Sequence, residues 1–212
     1  MTKTLHYLFD PLCGWCYGAA PAVAALAGAS DIHIELLPTG LFSGDGARPM
    51  DDAFADYAWS NDQRIERLTG QPFTQRYRTQ VLANRERLFD SGPATVALTA
   101  VSLTEPAREL DALKAIQAAR YVDGRDTTDL QTLVAVLEQL GLMDAAALLE
   151  RRSPPLLEAN HARTTRAAAW MRELGARGVP TFILQSGTQR SLLHASAIYA
   201  TPDALLAQVR AA

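Results

Sequence analysis

The stretch FDPLCGWCYG, residues 9–18, contains both cysteines of a 212-residue chain, Cys13 and Cys16. Two cysteines separated by two residues form either half of a metal site or a redox-active pair. A structural zinc site needs about four nitrogen or sulfur ligands. The chain offers few further ligands, none in the spacing of a zinc-binding histidine pair: His6, His33, His161 and His194. We therefore predict a thiol–disulfide pair and no metal site.

The residues on either side of the cysteines indicate a strand followed by a helix. Apolar and polar side chains alternate over residues 4–9, and the turn-forming Asp10 and Pro11 follow. After Trp15 the sequence becomes rich in alanine, which predicts a helix that begins at the cysteines. Pro21 lies inside this helix and is expected to kink it.

The position of the pair predicts a different role for each thiol. A thiol at a helix N-terminus faces unpaired backbone N–H groups and the positive end of the helix dipole, so we expect Cys13 to be the nucleophile. Cys16, one turn further, is expected to be the shielded resolving thiol. Gly14 would let the backbone of a partner approach, and Trp15 would either contact that partner or pack in the core. Asp10 would serve the turn or, alternatively, relay a proton.

Charge and composition limit the classes of partner. The chain has 23 acidic and 20 basic residues, a net charge of −3, and no long run of Lys or Arg. Neither nucleic acid nor a membrane surface is therefore an expected partner. The uncharged residues 11–30 contain proline, glycine and much alanine, which fits neither a membrane span nor a signal peptide. If Met1 is the native start, we expect a cytoplasmic protein.

Six arginines are interleaved with acidic residues in the next part of the chain. A solvated helical face is the first interpretation of this cluster, and a groove wall over the cysteines is the alternative. Its members are Arg64, Arg67, Arg76, Arg78, Arg85 and Arg87.

The rest of the sequence predicts a small mixed sheet and many helices. Residues 32–37 alternate as a second strand, and residues 179–194 indicate a β-hairpin. Thr201 is expected to cap a final helix that begins at Pro202. Residues 41–165 are expected to be helical throughout.

This order of elements resembles the thioredoxin fold, and more narrowly the DsbA-like family in its cytoplasmic FrnE-type branch. The segments that carry the resemblance are FDPLCGWCYG (9–18), SGPA (91–94), YVDGRD (121–126) and GVPT (178–181). The resemblance implies an α/β, thioredoxin-like fold (β-α-β, then β-β-α) with a large all-helical insertion. Residues 1–40 and 166–212 would form the thioredoxin-like domain, and residues 41–165 the insertion domain.

The resemblance also implies a second half of the site. In that fold a proline with a cis peptide bond lies opposite the cysteines, and its loop helps to hold the substrate. We therefore predict a cis bond between Val179 and Pro180, with the proline against the sulfur of Cys13. An X–Pro bond can be held cis at a cost of only about 0.5–1 kcal/mol. The free backbone groups of Val179 would pair with an extended substrate by strand addition.

These observations favour a thiol–disulfide oxidoreductase with Cys13 and Cys16 as catalytic residues. Gly14, Trp15, Val179 and Pro180 would bind the substrate, and no metal or organic cofactor is required. The expected partners are protein thiols and disulfides, or small thiols similar to glutathione. Relatives often carry proline at position 14, and the strongly oxidising ones carry histidine at position 15, so we do not expect a strong oxidase.

Two other functional classes remain open. One is a glutathione-dependent isomerase or transferase of the kappa-class or 2-hydroxychromene-2-carboxylate isomerase type, which shares the inserted fold. Those enzymes activate glutathione with a single Ser or Cys, so Cys16 argues against this class. The other is a non-catalytic interaction module, against which the C-x-x-C sequence at the helix start argues. The direction of disulfide exchange and the oligomeric state stay open.

Overall fold

The computed structural model describes residues 3–193, 198–199 and 202–211. In chain order the strands are β1 (Lys3–Phe9), β2 (Ile32–Pro38), β3 (Arg48–Pro49), β4 (Leu88–Phe89), β5 (Thr181–Ser186) and β6 (Gln189–Leu192). The α-helices are α1 (Gly14–Gly18), α2 (Ala20–Ala27), α3 (Asp52–Thr69), α4 (Gly92–Thr104), α5 (Glu109–Tyr121), α6 (Leu130–Gln139), α7 (Met143–Arg151), α8 (Pro154–Leu174) and α9 (Pro202–Ala211). The 3-10 turns at Gly44–Gly46 and Pro106–Arg108 and the π-helical segment Tyr77–Leu82 lie between these elements.

The central sheet has four strands in the order β2-β1-β5-β6. Strand β1 is parallel to β2 and antiparallel to β5, so Tyr7 lies between Leu36 and Phe182. Strands β5 and β6 form the predicted hairpin. The predicted order of β-α-β followed by β-β-α is therefore present.

Both faces of the sheet are covered, because side chains alternate along β1. On one face the ring of Tyr7 stacks on Phe9 and on Phe182, at centroid distances of 5.0 and 4.8 Å. On the other face Leu8 and Ile183 pack in a separate cluster with residues of α8. The alternation places the aromatic core on the side of the sheet that carries the cysteines.

The insertion is not helical throughout, which corrects one expectation. Strands β3 and β4 form a two-stranded antiparallel sheet in which Arg48 pairs with Phe89. Strands of two residues are too short to produce an alternating pattern, so the sequence could not reveal them. The predicted division between residues 165 and 166 falls inside α8, which continues through it.

Pro21 begins a helix where we expected it to kink one. Helix α1 ends at Gly18 and α2 starts at Ala20, with Pro21 in the first turn of α2. Proline has no N–H to donate and is tolerated in a first turn, where that donor has no partner within the helix.

Arg163 of α8 connects the sheet to the insertion. Its guanidinium donates to the carbonyl oxygen of Leu36 on β2 at 2.8 Å and to the hydroxyl of Thr99 on α4 at 3.1 Å. It also forms an ion pair of 2.5 Å with the buried Glu109 of α5. Burial raises the pKa of Glu109 to about 7, and Arg163 opposes that rise.

A second polar cluster lies across strands β2, β1 and β5, on the face of the sheet that α8 covers. His6 is buried, and its Nε2 forms a hydrogen bond of 2.9 Å with Oε1 of Gln185. Its Nδ1 lies 2.8 Å from Oε2 of Glu35. Arg166 also pairs with Glu35. The hydrogen bond to His6, together with Arg166, lowers the pKa of Glu35 to about 2, although partial burial opposes the shift.

Two predicted features, His194 at the end of the hairpin and the Thr201 cap, lie outside the described residues. None of the helices in the described part of the chain combines the length and the apolar character needed to cross a bilayer.

Candidate active site

The turn between β1 and α1 is held by Asp10. Its Oδ1 accepts a hydrogen bond from the backbone N–H of Leu12, and its Oδ2 accepts from the N–H of Phe42 and the hydroxyl of Ser91. The backbone N–H of Cys13 donates to the carbonyl oxygen of Asp10 at 3.1 Å. Burial raises the pKa of Asp10, and these hydrogen bonds to its carboxylate oppose the rise. Asp10 therefore serves the turn, which is one of its two predicted roles.

Cys13 is the N-cap residue of α1, with an extended backbone, and Cys16 lies one turn further. Both are free thiols. Cys13 is 8% exposed and Cys16 is 1% exposed, which agrees with the predicted order of accessibility but leaves Cys13 less open than expected. Burial, followed by the neighbouring Cys13, raises the pKa of Cys16 well above its ordinary value.

The loop before β5 faces Cys13. The Val179–Pro180 peptide bond is cis, as predicted. The thiol of Cys13 donates to the carbonyl oxygen of Val179, at 3.7 Å from sulfur to oxygen. Pro180 is buried at the end of this loop, and the Thr181 hydroxyl donates to the carbonyl oxygen of Gly178. The two halves of the predicted site therefore meet.

Trp15 is half-buried and packs against neighbouring side chains. Its ring meets the ring of Tyr199 edge-on at 5.0 Å, and the Tyr199 hydroxyl donates to the Trp15 carbonyl oxygen. The guanidinium of Arg64 lies 5.7 Å from the centre of the Trp15 ring. Trp15 also lines the groove beside Cys13.

That groove has a volume of about 480 Å³ and lies between the redox helix and the insertion. Its wall is mostly apolar and aromatic, with Phe42, Phe54 and Tyr121 among its members, and the hydroxyl of Tyr121 donates to the Leu12 carbonyl oxygen at 2.8 Å. The polar and charged groups in its lining are Cys13, Tyr57, Asn61, Asp62, Arg48 and Tyr77.

Gly14 is required by the protein's own packing. A Cβ atom at this position would lie 2.4 Å from Oδ1 of Asp62, closer than real Cβ contacts allow. One turn later a Cβ on Gly18 would lie 2.6 Å from a methyl group of Ile65. Helix α3 of the insertion therefore packs directly on the redox helix, and this contact needs glycine at both positions.

Asp62 is a site residue that the sequence analysis missed. It is only 5% exposed, and its Oδ2 accepts a hydrogen bond of 2.9 Å from the hydroxyl of Tyr77. Burial raises its pKa to about 7, although the Tyr77 hydrogen bond and the charge of Arg120 oppose the rise. The sequence did contain a sign of its burial: Asp62 lies three residues from both Trp59 and Ile65, on the apolar face of α3.

Arg120 supplies a buried cation beneath the groove. Its guanidinium lies 5.3 to 5.8 Å from the ring centres of Phe89, Tyr77 and Tyr121. Its Nε and Nη2 have no hydrogen-bond partner among the described residues. Contacts with aromatic faces stabilise such a desolvated cation.

None of the six arginines of the predicted cluster is among the described residues that line the groove, which favours the solvated face over the groove wall. Arg85 pairs with Asp52, Arg87 with Asp126, and Arg64 lies over the ring of Trp15. In the part of the chain that the structure describes, no three His, Cys, Asp or Glu side chains come together as metal ligands would.

Comparison with known proteins identifies a family and solved structures that are similar to this chain. Residues 4–199 match the family described as DSBA-like thioredoxin domain. The cytosolic disulfide reductase DsbM from Pseudomonas aeruginosa is 34% identical, with a TM-score of 0.87 over 99% of this chain and 100% of that one. The structure of DsbM with GSH is 32% identical, with a TM-score of 0.84 over 98% of this chain and 99% of that one.

A more distant likeness concerns the predicted alternative. A 2-hydroxychromene-2-carboxylate isomerase is 20% identical, with a TM-score of 0.61 over 98% of this chain and 93% of that one. At this identity the likeness concerns the fold alone. No curated protein sequence matches the chain.

Proposed function

We propose that this chain, which belongs to the DSBA-like thioredoxin domain family, exchanges disulfides through Cys13 and Cys16 with small thiols of the glutathione class. The family assignment confirms the predicted thioredoxin-like fold and the predicted class of enzyme, a disulfide oxidoreductase. The roles of individual residues, the partner and the direction of exchange are our proposal.

One observation carries the proposal: Cys13 caps the redox helix, has Cys16 one turn behind it and faces the carbonyl oxygen of Val179. The spacing of three residues places both sulfurs on one side of the helix, so a disulfide can close between them. The backbone of Val179 is positioned to pair with an extended cysteinyl substrate laid across Cys13. Gly14 and Trp15 form the rim over which that substrate would pass.

The reaction runs through a mixed disulfide. The Cys13 thiolate attacks one sulfur of a substrate disulfide, forms a bond to it and releases the other sulfur as a thiolate. Cys16 then loses its proton to that leaving thiolate and attacks Cys13, which forms the Cys13–Cys16 disulfide and releases the second substrate sulfur as a thiolate. Two molecules of a small thiol reverse these steps on the enzyme and leave as their own disulfide, so two electrons pass in each cycle.

We assign the reducing direction. The related DsbM is a cytosolic disulfide reductase. Position 15 holds Trp15 where the strongly oxidising relatives carry a histidine, so that possible cation beside Cys13 is replaced by an uncharged side chain.

Glutathione is the proposed partner because DsbM, a related reductase, was solved with it. The groove beside Cys13, at about 480 Å³, is of a size that accepts a small peptide thiol. We also propose a cytoplasmic location, which the cytosolic relative supports.

Trapping of the mixed disulfide tests this function. Wild-type protein and Cys16→Ser are each reduced, exposed to glutathione disulfide and examined by intact-protein mass spectrometry. We expect Cys16→Ser to accumulate one glutathionyl group on Cys13 and to lose turnover, while Cys13→Ser, the matched control, gains none. An isomerase would tolerate the loss of Cys16. If Cys16→Ser keeps full activity on an isomerase substrate and wild type neither reduces nor forms disulfides, the proposed function is wrong.

A further inference from the structure

A buried carboxylate beside the redox pair has one oxygen without a donor. Oδ2 of Asp62 accepts from Tyr77, but no hydrogen-bond donor among the described residues reaches Oδ1. Asp62 is 5% exposed and contributes to the wall of the groove that contains Cys13. Oδ1 is not among the enclosed side-chain atoms that lack a partner, and in the ionised carboxylate it can accept a hydrogen bond from a ligand that enters the groove.

Oδ1 lies close to the start of the redox helix. A Cβ on Gly14 would lie 2.4 Å from it, so this oxygen touches the residue that directly follows Cys13. Cys13 and Asp62 line the same groove, so a substrate attached to the Cys13 sulfur and lying in that groove can reach Asp62. The Val179 carbonyl faces Cys13 from another element, the loop before β5, so the two acceptors come from separate walls.

The surroundings of Asp62 favour a recognition role over a purely structural one. The hydrogen bond from Tyr77 needs one acceptor, which the carbonyl of an asparagine would also supply. Of the cations near the groove, Arg120 is the one whose charge acts on Asp62, and it lies among aromatic rings. The rest of the wall is largely apolar, which strengthens a hydrogen bond formed there.

We propose that Asp62 is a specificity-determining residue whose Oδ1 accepts a hydrogen bond from an N–H donor of the substrate, so that the enzyme selects disulfides with an N–H group near the sulfur. This inference rests on the proposed disulfide chemistry of Cys13 and names the feature by which substrates are chosen. Two groups supply such a donor in peptide thiols: an ammonium and a main-chain amide. Either one satisfies the free oxygen of Asp62.

Four disulfides separate these possibilities. Glutathione disulfide carries ammonium and amide groups, cystamine only ammonium, N,N′-diacetylcystamine only amide N–H, and dimethyl 3,3′-dithiodipropionate has neither N–H nor O–H. Reduced wild type, Asp62→Asn and Asp62→Ala are mixed with each at pH 8, above the pKa of Asp62 of about 7, so that its carboxylate is ionised. The second-order rate constant of enzyme oxidation is followed by acid quench and thiol counting. Asp56→Asn, an exposed acidic residue on the same helix, controls for loss of one negative charge.

We expect the Asp62 variants to react about 10- to 100-fold more slowly with glutathione disulfide, the range for loss of a hydrogen bond to a charged group. The reaction with the dimethyl ester should stay within about 3-fold of wild type, because no hydrogen bond is lost there. Whichever of cystamine and N,N′-diacetylcystamine shows the same loss identifies the donor. Asp56→Asn should match wild type on all four.

An equal loss on all four disulfides would overturn the inference, because Asp62 would then act on the cysteine chemistry and not on recognition. Unchanged rates in both Asp62 variants would overturn it as well. Failure of wild type to react with any of the disulfides is a different result, because it removes the proposed function itself.

Discussion

Replacement of Asp62 by asparagine should stabilise the protein, and increasingly so as the pH rises. The change keeps an acceptor for the Tyr77 hydroxyl and removes a carboxylate that burial disfavours. The ordinary pKa of an aspartate, 3.8, applies to the unfolded chain, and the folded pKa is about 7. Between these values the unfolded chain is ionised while the folded protein holds a proton, so ionisation favours unfolding.

The size of the effect follows from the two pKa values. Each unit of difference is worth about 1.4 kcal/mol, so the carboxylate costs the wild type about 2 kcal/mol at pH 5 and about 4 kcal/mol at pH 8. Below pH 3.8 both states are protonated and the cost vanishes. The free energy of unfolding of Asp62→Asn should therefore exceed that of wild type by about 2–3 kcal/mol more at pH 8 than at pH 5.

Equilibrium urea unfolding of the reduced proteins at pH 5, 6, 7 and 8 measures this difference. With a denaturant slope of about 2–3 kcal/mol per molar, the gap between the two midpoints should widen by about 1 M urea across the range. Asp56→Asn, exposed on the same helix, should show no such widening. A gap that is constant from pH 5 to pH 8, or an Asp62→Asn protein that is less stable than wild type at pH 8, would refute the reasoning.

Three further predictions concern packing, charge and thiol access. Gly14→Ala should lower the free energy of unfolding by about 1–3 kcal/mol, because the added methyl group overpacks the contact with Asp62. In a double-mutant cycle Asp62→Ala should restore part of that loss, and strict additivity of the two changes would contradict the contact. Glu35→Gln should lower the free energy of unfolding by about 1–2 kcal/mol at pH 7, because the folded pKa of Glu35 lies below its unfolded value. Urea midpoints of the two proteins should show this loss shrinking as the pH falls from 4.5 to 2. Iodoacetamide should modify Cys13 before Cys16 near neutral pH, as followed by peptide mass spectrometry, because Cys16 is almost fully buried; faster modification of Cys16 would reverse the assigned roles.

Local patterns in the sequence were sufficient to predict the sheet and the redox helix. The alternation in β1 and β2, the turn at Asp10 and the cysteine spacing each act within a few residues, so they are visible in a single sequence. The resemblance at residues 178–181 supplied the remaining half of the site, including the cis bond before Pro180. The strands β3 and β4 were not predicted, because two residues are too few to show a period of alternating polarity.

The wall of the groove could not be predicted in the same way. Asp62 and Gly14 are far apart in the sequence, and their contact depends on how α3 packs on α1. The charge on the apolar face of α3 marked Asp62 as unusual, but no local rule states which element it faces. Gly14 was assigned to substrate approach for the same reason, although helix α3 already requires glycine there.

The bonds of Arg163 resist separation of the sheet from the insertion. This side chain holds strand β2 to helices α4 and α5 through a shared, largely desolvated guanidinium. A motion of α4 and α5 away from α8 and the sheet would break the bonds of Arg163 to Thr99 and Glu109, and it would leave Glu109 buried without its cation, a loss of several kcal/mol. We therefore expect the sheet and the insertion to keep their separation when a ligand binds between them.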